Sequence, residues 1–265
     1  AKKNNNLLDT MTMNKIKALA LALLPALAVN TQAKGLTDSM ELKMHLGYNI
    51  GGTAPVGMPA SIRRLNSYTL QPNLVLGVEA DKALDDRWGL TLGLQIENKG
   101  MKEDARVKNY HEEVVRGGEK LAGMFTGDVT TEVTEWMLTI PLHARWQATN
   151  RLSLHAGPCL SGLTQRKVTG YAHDGYLHVG DPTGAKVTLG GDESTRGDYD
   201  FSDDMRHLQW GIDFGGEYRI WQRTAIFANL SWGLSGIHHS GFTAVEQTLY
   251  PIFASVGVSY RLKHR

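Results

Sequence analysis

The sequence predicts an all-β protein, an eight-stranded antiparallel up-and-down transmembrane β-barrel with four long extracellular loops. Three observations favour this fold. Apolar and polar residues alternate with a period of two in eight segments, short and long connections alternate along the chain, and aromatic residues gather near both ends of the segments. We expect residues 34–265 to form the barrel domain and residues 1–33 to be an N-terminal extension and signal peptide.

Each alternating segment has one apolar face and one polar face. In residues 87–99, Trp88, Leu90 and Leu92 fall on one face, whereas Thr91 and Gln95 fall on the other, because successive side chains of a strand point to opposite sides. The same pattern occurs in residues 40–50, 68–80, 136–146, 151–162, 208–220, 224–235 and 250–262. We therefore expect each segment to be a strand with lipid on one side.

The connections between these segments differ sharply in length. Residues 81–86, 148–150 and 221–223 are short turns, whereas residues 51–67, 100–133, 163–206 and 236–249 are longer and more polar. Short periplasmic turns that alternate with long outer loops are typical of outer-membrane barrels. The asymmetry therefore predicts a bacterial outer-membrane protein that is exported through its signal peptide.

Aromatic residues on the apolar faces are predicted to form two belts, one at each membrane interface. Trp136 and Trp146 are ten residues apart, which at about 3.3 Å per residue and a tilt near 40° spans roughly 25 Å, the height of a barrel's apolar band. A soluble β-sandwich, the main alternative, would give no reason for rings at two heights. The belt residues are Tyr48, Tyr68, Trp136, Trp210, Trp232 and Tyr250 at the long-loop ends, and Trp88, Trp146, Tyr218 and Tyr260 at the short-turn ends.

The polar faces carry charges of both signs, which are expected to meet inside the barrel. Unpaired charges in a confined interior would be very costly, so we predict a plug of paired side chains. A path for protons or ions is the alternative interpretation. The predicted plug residues are Lys43, Glu79, Glu97, His143, Arg145, His155, Asp213, Glu217, Arg219 and Arg261.

Two prolines predict a local irregularity in this interior. Pro141 and Pro158 fall nearly opposite each other if the hairpin turns at residues 148–150. Neither can donate a ladder hydrogen bond, and a closed barrel has no free edge for them. We therefore expect a bulge or broken pairing, with Cys159, the only cysteine, facing the interior beside it.

The long loops carry residues that could bind a metal or act chemically, but none in a diagnostic arrangement. The pair His238 and His239, and four aspartates between residues 198 and 204, are expected to be solvated loop residues rather than metal ligands. Ser235 and Ser240 lie near that histidine pair at the predicted rim, but nothing in the sequence places an acid to orient them. We predict no catalytic residue, no cofactor, no metal site and, from a net charge of +1, no nucleic acid partner.

The strands also resemble a known family. Residues 135–163, EWMLTIPLHARWQATNRLSLHAGPCLSGL, resemble a hairpin of the PorT-like outer-membrane β-barrel family, a porin-family group, with its IPL and AGP core. QPNL at 71–74, IENKG at 96–100, residues 211–218 and GVSYRL at 257–262 are similar to the same family. The resemblance covers about residues 40–262 and implies an eight-stranded outer-membrane barrel. One branch of the family serves the type IX secretion system.

Three functions remain open from the sequence. The first, which we favour, is a non-enzymatic barrel with loop-mediated binding or a structural role in the envelope. The second is an accessory component of a type IX-like secretion or transport assembly, and the third is a lipid-acting enzyme. The expected partners are outer-membrane lipids and an envelope protein bound through residues 100–133 and 163–206.

The N-terminal segment predicts export and cleavage. Lys15 and Lys17 precede an apolar run at residues 18–29, which is shorter than the roughly 20 residues that a spanning helix needs. Small residues around Ala33 indicate cleavage after that position. N-terminal sequencing of outer-membrane material is expected to begin at Lys34, and a membrane-anchored product that retains residues 14–30 would contradict this.

Overall fold

Strands account for nearly all the regular structure of residues 40–262, the part of the chain that the computed structural model describes. Its only helical element is a 3₁₀ turn at Ser202–Asp204, and no helix there is long and apolar enough to cross a membrane. The predicted N-terminal extension and signal peptide, residues 1–33, lie outside the described residues. The strands are β1 (Met40–Pro55), β2 (Ile62–Thr69), β3 (Leu74–Ala83), β4 (Trp88–Arg116), β5 (Glu119–Gln147), β6 (Leu152–Val179), β7 (Lys186–Leu189), β8 (Gly197–Asp200), β9 (Leu208–Arg219), β10 (Thr224–Gly233) and β11 (Leu249–Arg261).

The strands pair in the order in which they follow one another. The pairings run β1–β3–β4–β5–β6–β9–β10–β11 and return from β11 to β1, and we call these strands the strand ring. The registers of its hairpins, such as Trp88 opposite Trp146 in β4 and β5, are antiparallel. The predicted all-β antiparallel up-and-down fold is therefore confirmed. Three further strands were not predicted: β2 pairs with β4, β7 with β6, and β8 with both.

The strand ring is apolar outside and polar inside, the reverse of a soluble protein. Leu46 in β1 is 58% exposed, whereas Lys43 and Asn49 on the other face of the same strand are 5% and 0% exposed. An exposed apolar surface of this extent marks contact with lipid or with another apolar partner. Exposed apolar residues elsewhere in the strand ring include Leu74, Leu76, Leu90, Leu92, Ile140, Leu142, Leu154, Leu160, Phe214, Ile226, Leu230, Val256 and Val258.

The prediction of a loop is wrong for residues 100–133 and for the first part of residues 163–206, because these residues continue the strands. Residues 100–133 form the outer half of the β4–β5 hairpin, which turns at Gly117 and Gly118. Both glycines have positive φ, 59° and 88°, as a tight hairpin turn requires. β6 likewise extends through residues predicted as a loop, as far as Val179. Pairing between these segments satisfies their backbone, so their polar composition did not prevent strand formation.

The predicted strand at residues 68–80 is divided in the structure. β2 ends at Thr69 and β3 begins at Leu74, with Pro72 between them. Proline has no N–H to donate to the β4 ladder, and the Asn98 side chain caps the break by donating to the Pro72 carbonyl and accepting from the Leu74 N–H.

Above the strand ring, the long segments form a second structure, which we call the outer extension. It comprises residues 51–69, 100–133, 163–206 and 236–249. Phe125, Leu177, Leu189 and Ile237 are fully buried in its apolar core. The outer extension is therefore organised like a soluble domain, with apolar side chains inside.

The predicted irregularity at the two prolines is confirmed. In the β5–β6 ladder, Pro141 pairs with Cys159 and the next pair is Ala144 with Ala156. Two residues on each strand between these pairs are therefore unpaired in this ladder, and Pro158 is one of them. The register is the same on both sides, which makes this an interruption rather than a bulge. Cys159 is buried, as expected for an inward position.

Candidate functional site

A cluster around Lys43 lies at the short-turn end of the strand ring's interior. The Lys43 Nζ is 2.8 Å from Glu217 Oε2, 2.9 Å from Asp81 Oδ2 and 3.6 Å from Glu79 Oε2. His45 Nδ1 is also 3.6 Å from Glu79 Oε1. Three strands, β1, β3 and β9, therefore meet through one ammonium group.

Asp81 is a member of this cluster that the sequence analysis missed. It was assigned to a short turn at residues 81–86, whereas β3 continues to Ala83 and buries its side chain. The Thr91 hydroxyl donates a hydrogen bond to its carboxylate. The spacing Glu79, Asp81 continues the inward alternation of β3, and that signal could have identified it.

A second cluster joins histidines from neighbouring strands. His143 Nε2 lies 3.1 Å from Asp213 Oδ2, and both side chains are buried. The His155 ring stacks on the His143 ring with centroids 4.9 Å apart, and its Nε2 is 3.1 Å from Asn229 Oδ1. An added Cβ at Gly215 would fall 2.6 Å from His155 Nε2, so glycine there makes room for the second histidine.

A third cluster lies towards the outer extension and is centred on Glu97. Its Oε1 is 3.2 Å from Lys99 Nζ and accepts from the Thr139 hydroxyl at 2.8 Å, while its Oε2 accepts from Asn49 at 3.1 Å. The Ser255 hydroxyl donates to Asn49 Oδ1 at 2.6 Å. Buried carboxylates, lysines and amides thus satisfy one another across the interior.

The three arginines predicted for the plug have other contacts in the described structure. Arg145 Nη1 donates to Gln147 Oε1 at 3.0 Å, and Arg261 forms an ion pair with Glu41 near the start of β1. Arg219 is half-buried at the end of β9, beside the short turn. The basic side chains of the three interior clusters are therefore lysines and histidines rather than arginines.

A small cavity of about 40 Å³ lies between these clusters. One water needs about 10–15 Å³ of such space, so this cavity has room for only a few waters. Its lining includes His45, Glu79, Glu97, His143 and Asp213.

Of the ten residues predicted for the aromatic belts, three have half-buried side chains and seven have exposed ones. Tyr48, Trp136 and Tyr250 are half-buried, and the Tyr48 hydroxyl donates to the Gln71 carbonyl. Trp88 lies directly opposite Trp146 at the short-turn end of β4 and β5. The exposed belt residues are Tyr68, Trp88, Trp146, Trp210, Tyr218, Trp232 and Tyr260.

The rim residues that could have formed a catalytic group have other partners. His239 Nε2 is 3.0 Å from Asp204 Oδ1, and the Ser235 hydroxyl bonds to the backbone of Trp210. The His238 ring stacks on Phe242, with centroids 3.9 Å apart. Within residues 40–262, no group of three or more His, Cys, Asp or Glu side chains is arranged to hold a metal ion.

The outer extension contains a second cavity, which we call the outer cavity, of about 70 Å³. β4 contributes Glu103, Tyr110 and Glu112 to its lining, β8 contributes Tyr199, and residues 236–249 contribute His238. Glu112 is 1% exposed, and its Oε2 and the His238 Nε2 have no hydrogen-bond partner in the described structure. The sequence analysis missed this site because its residues lay in segments predicted as loops.

Burial shifts the proton affinity of the groups around the outer cavity. It raises the pKa of Glu112 to about 8 and the pKa of Glu103 to about 7. It lowers the pKa of His238 to about 4 and raises the pKa values of Tyr110 and Tyr199. Near neutral pH the Glu112 carboxyl is therefore mostly protonated, Glu103 is about half protonated and the His238 imidazole is neutral.

Replacement of Lys43 tests the interior clusters. In Lys43→Met, the three carboxylates around the ammonium group lose their shared cation, and breaking a buried pair costs about 3–5 kcal/mol. We expect the free energy of unfolding from lipid vesicles, measured by urea titration, to fall by that amount. Lys108→Met, at an exposed position of the outer extension, is the control and should change it by less than about 0.5 kcal/mol. Equal effects of the two variants would contradict the assignment.

Comparison with known proteins agrees with this architecture. A family model described as outer membrane protein beta-barrel domain matches residues 31–239, and no curated protein matches the sequence. Among solved structures, CarO2 of Acinetobacter baumannii is 12% identical over 84% of this chain and 99% of its own, with a TM-score of 0.40. Ail, the attachment invasion locus protein of Yersinia pestis, is 9% identical over 84% and 97% of the two chains, with a TM-score of 0.34. The outer membrane protease OmpT of Escherichia coli is 10% identical over 85% and 97%, with a TM-score of 0.36. These structural likenesses are weak, and the assignment rests on the family match: the chain belongs to the family of proteins with an outer membrane protein β-barrel domain.

Proposed function

We propose that this protein is a non-enzymatic barrel of the outer membrane whose outer extension binds a ligand or an envelope partner. In this proposal the strand ring is an eight-stranded membrane barrel, held in lipid by its apolar outer face and aromatic belts. The interior clusters are the plug, and the outer extension is the functional part.

The observation that carries the proposal is the apolar core of the outer extension. A connection between antiparallel strands needs only two to five residues. Here β4 continues from Gly100 to Arg116, roughly 50 Å at about 3.3 Å per residue, and pairs there with β2, β5 and β8. Phe125 and Leu177 are fully buried there. Segments that only connected strands would not need a folded core, so the core of the outer extension supports a binding role.

The side chains that fill the interior argue against a role as a general diffusion pore. Eight strands enclose an interior only wide enough for side chains to fill it. The three clusters occupy that space, and the cavity between them measures about 40 Å³.

Conductance tests the plug. Purified protein in a planar lipid bilayer is expected to show no stable open-channel current, because paired side chains cross the interior. A wide porin reconstituted in the same way is the positive control. Steady large currents from this protein would mean that the plug, or the strand count, is wrong.

Removal of the β4–β5 extension tests the binding role. In one variant, residues 103–131 are replaced by an Asn-Gly turn at the point where Glu103 faces Thr131. The control replaces one turn glycine, Gly117→Asn, and keeps Gly118, so that the hairpin remains. We expect proteins that copurify with the full chain from native envelopes to be lost in the first variant and retained in the control. Identical copurification with both variants would overturn the proposal.

A second candidate is an accessory role in protein secretion. It rests on the resemblance to the PorT-like family, whose IPL and AGP segments fall here at residues 140–142 and 156–158, on the paired strands β5 and β6. The same copurification distinguishes the candidates. Recovery of secretion-machinery proteins by the variant that lacks residues 103–131 would favour this one.

A further inference from the structure

The outer cavity has the composition of a binding site. Tyr110, Tyr199 and Phe201 place aromatic rings around it, and aliphatic residues such as Val129 and Val168 complete the wall. Its volume of about 70 Å³ is several times the 10–15 Å³ that one water needs. The space therefore suits a small, largely apolar molecule.

The charged groups of this lining are all acidic. Glu103 and Glu112 are the charged residues that line the outer cavity, with no lysine or arginine among the lining residues of the described chain. The ion pairs formed within residues 40–262 involve neither carboxyl. A buried carboxyl without a partner is costly, so a cationic partner from outside the chain would relieve a real penalty.

Two buried atoms point to the same conclusion from geometry. Glu112 Oε2 and His238 Nε2 are both buried without a hydrogen-bond partner in the described structure, and both residues line the outer cavity. By contrast, the Tyr199 hydroxyl is satisfied, because it donates to the Thr130 carbonyl at 3.1 Å and lies 2.7 Å from the Thr131 hydroxyl. Glu112 and His238 are therefore the polar lining groups with hydrogen-bonding capacity left for a ligand.

The local backbone explains why Glu112 rather than Glu113 faces the cavity. The β4–β5 register shifts between Val107 and Tyr110, and Asn109 has a φ of 53°, in the left-handed region. A bulge of this kind exchanges the two faces of the strand beyond it. Glu112 is consequently buried, whereas Glu113 is exposed.

The outer cavity adjoins an open groove on the outer face. His238, Val245 and Leu249 line both spaces, and the groove, of about 480 Å³, also contacts Arg206 and Trp210. These three residues therefore form a wall that the two spaces share.

We infer that the outer cavity binds a small apolar amine. The ammonium group of the ligand pairs with the Glu112 carboxylate, with Glu103 as the second anion and the aromatic faces of Tyr110, Tyr199 and Phe201 around the cation, and the apolar body fills the cavity. This inference rests on the proposed binding role of the outer extension and names the ligand class.

The pairing fixes the pH dependence of binding. The titratable groups that face Glu112 are Glu103, Tyr110, Tyr199 and His238; the lining residues from β5 and β6, among them Val129, Thr131 and Val168, do not titrate near neutral pH. Because burial raises the pKa of Glu112 to about 8, binding of an ammonium ion below that pH releases the carboxyl proton. Affinity is therefore expected to rise roughly tenfold per pH unit between about pH 6 and 8 and to level off above.

Calorimetric titration of the purified full chain in detergent tests this inference. The probe is isopropylamine, which is small enough for a space of about 70 Å³, and isopropanol is the neutral match of nearly the same shape. At pH 8 we expect the amine to bind at least tenfold more tightly than the alcohol, and we expect Glu112→Gln to remove that difference. Glu113→Gln, the exposed neighbour, should behave like the unaltered chain.

Several results would overturn the inference. Equal binding of amine and alcohol, no binding of either, or full amine binding by Glu112→Gln would each do so. If Glu112→Gln does not fold, the pH dependence of the unaltered chain decides, and a flat affinity from pH 6 to 8 rejects the pairing. Failure here leaves the copurification result untouched, so the ligand class and the binding role are tested separately.

Discussion

The structure depends on the alternation of side chains along strands that face lipid. A strand sends every second side chain to the opposite face, so an apolar outer surface forces the intervening polar residues into the interior. Leu46 and Lys43 show this on one strand, with the leucine more than half exposed and the lysine buried. The interior charges must then pair, because their only alternative is an uncompensated charge away from water. The clusters around Lys43, Asp213 and Glu97 are the consequence.

The same strands obey the opposite rule a few residues further on. Within β4, the inward positions change from Glu97 and Lys99 to Met101, and all three are buried. Beyond this point the pairing strands bury apolar side chains against each other as a soluble domain does. The change from a polar to an apolar interior marks the boundary between the strand ring and the outer extension. It also explains how one continuous hairpin can serve two environments.

The outer cavity differs from the interior of the strand ring because its carboxyls have no lysine or arginine partner among the described residues. In the strand ring, each cluster contains acidic and basic side chains whose paired atoms lie about 3 Å apart. In the outer cavity, two carboxyls and an imidazole meet rings and aliphatic side chains instead. Unmatched buried groups reduce stability, and they persist where a ligand supplies the missing partner. This contrast within one chain is the physical basis for assigning binding to the outer extension.

The sequence by itself determined the membrane-facing strands, their antiparallel order and most of the inward residues, because a period of two is visible wherever lipid enforces it. It also located the interruption of the β5–β6 ladder beside Pro141, since a residue without an N–H cannot complete a ladder. Asp81 was missed only because a strand end was placed three residues too early, at residue 80 rather than at Ala83. Tertiary structure alone decided that residues 100–133 pair as strands, that Lys43 joins three carboxylates from other strands, and that Glu112 faces a cavity while Glu113 faces solvent. The reason is physical: long-range pairing and the bulge at Asn109 set which face is buried, and neither leaves a periodic mark on the residues themselves.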